Sequence, residues 1–247
     1  TGASAAAFVA NASVSEPQTA LDPLPWEVDY FIHYSILFNL EQLEIKTELI
    51  EEHSDFRRVN ERKNFMSKPD EEKYEFLKQL QGELQSFYLE LRVKFENKEA
   101  VQINQLISAV RSSMYSVKSL RDIGTNIGNL KRSSKNIKFY FLLDQKTETA
   151  DLYAKLNAYM TKQEKVDFKK LQNRYDDVQT NYCSALSEFY KAAQHAPIED
   201  IDLTIVINFN RELFTSNKAM LMAVKDFLLE EKEANEFTEI PVYKSHG

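Results

Sequence analysis

Apolar residues recur at three- and four-residue steps through most of the chain, the spacing that gathers side chains onto one face of an α-helix. The first such run spans Val28 to His53, with Ile36, Leu40, Leu43 and Ile50 as its stripe. Arg57 to Lys68 interrupts the pattern and reads as a polar loop, after which Ser67 and Asp70 stand at capping-box spacing. The second helix carries the cleanest stripe: Leu77, Leu80, Leu84, Phe87, Leu91 and Phe95. The third begins near Glu99 and presents Ile103, Leu106, Ile107, Val110, Met114, Val117 and Leu120, a face that Gly124 and Ile127 continue. Gly124 and Gly128 lie four apart, which either admits a closely packed helix or frays the end. The fourth helix starts at Ile137 and runs past Leu152, Leu156 and Met160; Thr161 and Glu164 make a second capping-box pattern. Phe168, Leu171, Tyr175, Val178, Tyr182, Leu186 and Phe189 mark the fifth. Ile201, Ile205, Phe209, Leu213, Met220, Val224 and Phe227 mark the sixth, with Pro197 in its first turn.

These runs predict an all-α protein of about six long antiparallel helices. Residues 1–27 lack a stripe and read as an extended leader closed by Pro23 and Pro25, with Trp26 as an anchor. Residues 234–247 read as an irregular tail. With 5 glycines and 6 prolines, the long stretches free of both leave no room for the frequent turns of a β architecture.

A local pattern repeats. Arg111, Ser116 and Lys118 on the third helix stand 100 residues before Arg211, Ser216 and Lys218 on the sixth. The helix order agrees, so residues 28–130 and 137–233 are expected to form two similar three-helix bundles packed together.

The search for chemistry excludes more than it finds. None of His33, His53, His195 and His246 follows a glutamate by three residues, as a di-iron bundle requires, and one cysteine with scattered histidines makes no zinc pattern. Gly-rich phosphate loops and nucleophile elbows are absent from the sequence. Ser116 and Lys118, two apart, face different ways on a helix. Cys183, one position past a stripe, is expected to be a packed thiol. A net charge of −7 argues against a nucleic-acid partner, the basic residues Lys131, Arg132, Lys135 and Lys138 notwithstanding. The same-face pairs Asp122 with Asn126 and Asp226 with Glu230 read as solvated polar faces before metal ligands. A non-catalytic protein without cofactors is expected.

The segment RSSMYSVKSLRDIGTNIGNL, residues 111–130, resembles the third helix of PhoU-like domains, and the repeated three-helix plan resembles the same family. The closer likeness is to the PhoU-like domain that follows the membrane domain of bacterial sodium/phosphate cotransporter-type proteins, where residues 7–20 would be the leader. This resemblance implies a regulatory or interaction module at the cytoplasmic face of the inner membrane. Its partner would be a membrane transport domain, in the same full-length chain; a homodimer is a further arrangement to consider. It also implies metal-cluster motifs of the form Glu-x-x-x-Asp. Here Asp122 and Asn126 occupy one such motif, and Met222 and Asp226 stand at the 100-residue offset, so each has lost half its charge and no metal is expected. The alternative is a helical scaffold that binds partner helices and has no connection with phosphate.

Overall fold

The computed structural model describes residue 6 and residues 21–50, 56–133, 136–196 and 203–238. Among these, nine α-helices and one 3-10 turn account for the ordered backbone, with no strand. The helices are α1 (Leu24–Gln42), α2 (Phe56–Ser67), α3 (Asp70–Arg92), α4 (Asn97–Asp122), α5 (Gly124–Arg132), α6 (Ile137–Met160), α7 (Phe168–Ala193), α8 (Leu203–Leu228) and α9 (Glu231–Thr238). The all-α expectation holds, with short α2, α5 and α9 added to the six long helices.

Helix α1 is the central element. From Tyr30 to Leu40 every side chain is buried, polar Ser35 and Asn39 included. A helix apolar on all sides must be wrapped rather than laid on a surface, and α3, α4, α6 and α8 all pack against it. Antiparallel α4 and α8 form the largest helix pair, their small residues Ala109, Ser113 and Ser116 meeting Ser216, Ala219 and Ala223, all buried. The main core joins α1 to α3, α4, α6, α7 and α8. A second cluster closes the other end, where Phe141 meets Phe189 and Phe209 edge-on at 5.7 and 5.9 Å. Both clusters draw residues from each half of the chain. The α3 stripe is buried as its spacing predicts, with Leu84, Phe87 and Leu91 at 0, 7 and 0% exposure.

The helix ends depart from expectation for a common reason. Helix α1 stops at Gln42, well short of His53, because Glu44 adopts a left-handed conformation (φ 55°). The amides of Glu44 and Ile45 then bond back to Glu41 O and Leu40 O at 2.9 and 2.8 Å. This is a Schellman stop built without glycine. Helix α6 ends the same way at Lys162 (φ 59°), whose neighbour Gln163 bonds to Ala158 O at 3.0 Å. Thr161 is thus the end of α6, its hydroxyl bonded to Asn157 O, and the cap of α7 is Asp167, which accepts from Lys170 N. Ser67 likewise caps nothing: its hydroxyl bonds back to Asn64 O, and Pro69 precedes α3.

The expected loop at 57–68 is helix α2. Its sequence is polar, and the anchor among its described side chains is Phe65, stacked on Tyr34 at 4.7 Å and against Phe76 at 5.6 Å. Leu24 to Glu27, assigned to the leader, begin α1 with Pro25 in the first turn, and Trp26 is 54% exposed. Helix α9 replaces the first part of the irregular tail. Gly124 opens α5 after a break at Ile123, and an added Cβ there would touch nothing within 4 Å, while at Gly128 it would meet only the Arg132 side chain. Neither glycine admits a neighbouring helix. The leader segments 1–5 and 7–20, the tail from 239, and Pro197 to Asp202 lie outside the described residues.

A left-handed residue with a Cβ costs roughly 1–2 kcal/mol, and glycine removes most of that cost. Lys162→Gly should therefore raise the unfolding free energy by about 1 kcal/mol in urea titration, with the helical content unchanged.

Candidate functional site

Four helices each place one polar side chain at the centre of the molecule. Asn39 of α1 donates through Nδ2 to Ser116 Oγ of α4 at 2.9 Å and to the Tyr153 hydroxyl of α6 at 2.7 Å. Ser116 Oγ donates to the Ser216 carbonyl of α8 at 2.8 Å, and Ser216 Oγ returns the bond to the Ser116 carbonyl at 2.9 Å. The two hydroxyl oxygens are 2.9 Å apart. All four residues are buried, with Asn39, Ser116, Tyr153 and Ser216 at 0% exposure. Burial pushes the Tyr153 phenol above its ordinary value of 10.0, and its hydrogen bonds to Asn39, Ser116 and Ser216 oppose that rise. The phenol remains a neutral hydrogen-bonding group at ordinary pH. A hydroxyl pair with no base and no access to solvent has no route to nucleophilic chemistry.

The repeat residues divide by position. Ser116 and Ser216 meet; Arg111 and Lys118 on α4 and Arg211 on α8 are exposed, Arg211 bonding to Asn208 at 2.8 Å. Lys218 is half-buried, and that burial pulls its ammonium below the usual lysine range.

The metal-motif residues are scattered. Asp122 ends α4 and is exposed, whereas Asn126 lies in α5, beyond the break at Ile123. Their four-residue spacing therefore does not place them on one continuous helix. Asp226 accepts from Ser108 Oγ at 2.8 Å and pairs with Lys225 at 3.1 Å. At 1.5 Å rise per residue, Asp122 and Asp226 stand roughly 24 Å apart along the antiparallel α4–α8 crossing. Met222 is half-buried and Glu230 exposed. Among the described residues no three His, Cys, Asp or Glu gather as metal ligands, so the donor set does not fit a cluster. Cys183 is exposed, against the expectation of a packed thiol: one step off the α7 stripe turns it from the core to the surface.

Beside the hub, α6, α7 and α8 line an open pocket of about 290 Å³. Asn210 and Asn217 on α8 and Gln145 on α6 line it, and each is buried. Asn217 Nδ2 is 3.3 Å from Thr149 Oγ1, Asn210 Nδ2 donates to Tyr182 O at 3.0 Å, and Gln145 Oε1 accepts from Asn181 at 2.9 Å. Sequence reading missed this site. Its signal was Asn210 and Asn217 bracketing Leu213 at i, i+3 and i+7, which is polar substitution inside a core stripe.

No family model, curated protein or solved structure matches the chain. Among the described residues no helix is long and apolar enough to cross a membrane.

Two outcomes test the hub. Removing one serine hydroxyl strands its buried partner at a cost of about 1–3 kcal/mol. Ser116→Ala and Ser216→Ala should each destabilise by that order, and the double variant by less than their sum, by about 0.5 kcal/mol or more. Strict additivity in urea denaturation would show that the hydroxyls do not act as a pair. The raised Tyr153 phenol favours the folded state fully below pH 10.0, and that contribution is lost as pH rises toward the folded value. Tyr153→Phe should flatten the alkaline decline of stability above pH 10.0, leaving the part due to Tyr159 and Tyr175, which are also raised by burial.

Proposed function

We propose that this chain is a PhoU-like regulatory or interaction domain, non-catalytic, that acts on a sodium-dependent phosphate transport domain at the cytoplasmic face of the inner membrane. The observation that carries the reading is the reciprocal Ser116–Ser216 contact. Two residues matched by the 100-residue repeat donate to each other's carbonyl across antiparallel α4 and α8. That arrangement is what two related three-helix halves, 28–130 and 137–233, would produce if they packed through their third helices about a local two-fold axis. The segment resembling the PhoU third helix, Arg111 to Leu130, covers the C-terminal part of α4, from Arg111 to Asp122, and all but the last two residues of α5.

Among the described residues no donor set gathers, and this directs the reading toward helix surfaces rather than a metal cluster. Exposed apolar side chains such as Leu89 and Val93 near the end of α3, at 55 and 75% exposure, also support the scaffold reading, in which partner helices dock without any link to phosphate.

The test is sodium-driven phosphate uptake. Cells carrying the full reading frame that contains this chain are compared with cells in which residues 28–233 are deleted, at matched membrane abundance. The regulatory reading expects uptake that no longer responds to external phosphate supply. Equal uptake and equal response in both strains would overturn it. A reading frame encoding no apolar spans would leave only the scaffold.

A further inference from the structure

One end of the bundle combines positive charge with exposed aromatic and aliphatic side chains, and the hub uses neither. From Ile123 to Leu143 the sequence holds Lys131, Arg132, Lys135 and Lys138 and no acidic residue, in a chain whose net charge is −7. This basic stretch runs through α5 into the start of α6, which the second core cluster joins through Leu130, Phe141 and Leu142. Tyr140 and Leu143 stand in the same stretch at 54 and 40% exposure. The Tyr140 ring meets that of half-buried Phe139 edge-on at 5.7 Å. Phe139, Leu143 and Lys146 are spaced i, i+4 and i+7, so they share one face of α6, and Tyr140, three before Leu143, borders it.

The cations here outnumber their partners. Lys131 bonds to Glu44 at 2.6 Å, and the same carboxylate is the anion that Lys146 feels. Burial pulls the Lys146 ammonium below the usual lysine range; Glu44 opposes that pull and Lys131 adds to it. Arg132 and Lys138 have no ion pair among the described residues. Exposed Asp144, next to Leu143, offsets one charge and leaves an excess. A dissolved anion would meet that excess and leave Tyr140 and Leu143 in water. An uncharged apolar partner would cover those side chains and strand the cations. A bilayer with anionic headgroups meets both. Lysine stems lie along apolar surface with the ammonium at headgroup depth, and a tyrosine ring sits at the same level with its hydroxyl wet.

We propose that this end of the bundle, α5 with the start of α6, rests on an anionic phospholipid surface. Tyr140 and Leu143 enter the headgroup boundary, while Arg132, Lys138 and Lys146 meet the lipid phosphates. The inference is independent of the transport reading, since the contact needs no transport domain and the assay below contains none.

Trp26 is the only tryptophan in the sequence, so Tyr140→Trp with Trp26→Phe places a single reporter on the proposed surface. Vesicles of phosphatidylcholine with about one-quarter phosphatidylglycerol should shift its emission to the blue and shield it from aqueous quenchers. Phosphatidylcholine alone, or inorganic phosphate, should do neither, and added salt should weaken the effect. Arg132→Gln with Lys138→Gln, native by circular dichroism, should weaken cosedimentation with the anionic vesicles roughly tenfold. Tyr140→Ser with Leu143→Ser should weaken it several-fold. Lys98→Gln with Lys169→Gln, exposed positions at the opposite end of the bundle, should leave it unchanged. No blue shift at low salt would overturn the proposal. So would an equal shift on neutral vesicles, unchanged cosedimentation of the Arg132 and Lys138 variant, or an equal shift with duplex DNA, which would assign the surface to nucleic acid.

Discussion

The structure depends on how closely α4 and α8 can approach. Two helices meeting through large side chains stay apart, and a hydroxyl on one cannot reach the backbone of the other. Here the meeting faces carry Ala109, Ser113 and Ser116 against Ser216, Ala219 and Ala223. The short contact lets each serine bond to the opposite carbonyl at 2.8 and 2.9 Å. Those carbonyls already serve their own helices, so their second lone pairs accept the serines without breaking either ladder. Asn39 and Tyr153 then tie α1 and α6 to the same point. An apolar α1 supplies the hydrophobic driving force, but that force is indifferent to rotation and register; the buried polar contacts fix both.

Charges reinforce this frame at its edges. Lys73 of α3 is buried and paired with Glu41 at the end of α1 at 2.6 Å. Arg121, at the end of α4, lies over the Tyr74 ring at 4.0 Å and bonds to Glu71 at 2.8 Å. Lys131 of α5 reaches Glu44 at 2.6 Å, and that hydrogen bond holds the Glu44 carboxyl below its usual range. Lys131 thus contacts the left-handed residue that follows α1. The left-handed turn at Glu44 and the α5 helix are coupled through it.

The helical period was legible wherever an element buries a stripe, as in α3, α4, α7 and α8. It failed where other physics decides. Helix α2 has too few apolar positions to show a period and is held by Phe65 among the aromatics. The stops of α1 and α6 fall on Glu44 and Lys162, where no glycine announces a left-handed turn. The Thr161 and Ser67 patterns were true hydroxyl signals assigned to the wrong end: both bond backward to a carbonyl of the helix they finish. Of the site, Ser116 and Ser216 were visible as a repeat. Asn39 and Tyr153 were hidden, because their roles arise only when α1 and α6 arrive from distant parts of the chain. The amide pocket was masked in the same way, its asparagines passing for interruptions in a core stripe.

The separation of Ser116 and Ser216 by 100 residues also governs synthesis. At translation rates of about 5–20 residues per second, Ser216 is made roughly 5–20 s after Ser116. Throughout that interval α1 has emerged with apolar side chains on every face, and at least one of its four covering helices is incomplete: first both α6 and α8, then α8 alone. Local helices form within microseconds, but the crossing that orders them must await α8. The nascent chain therefore passes through a long stage with its most apolar helix incompletely covered, the stage at which chaperone binding or misassociation with another copy competes with folding.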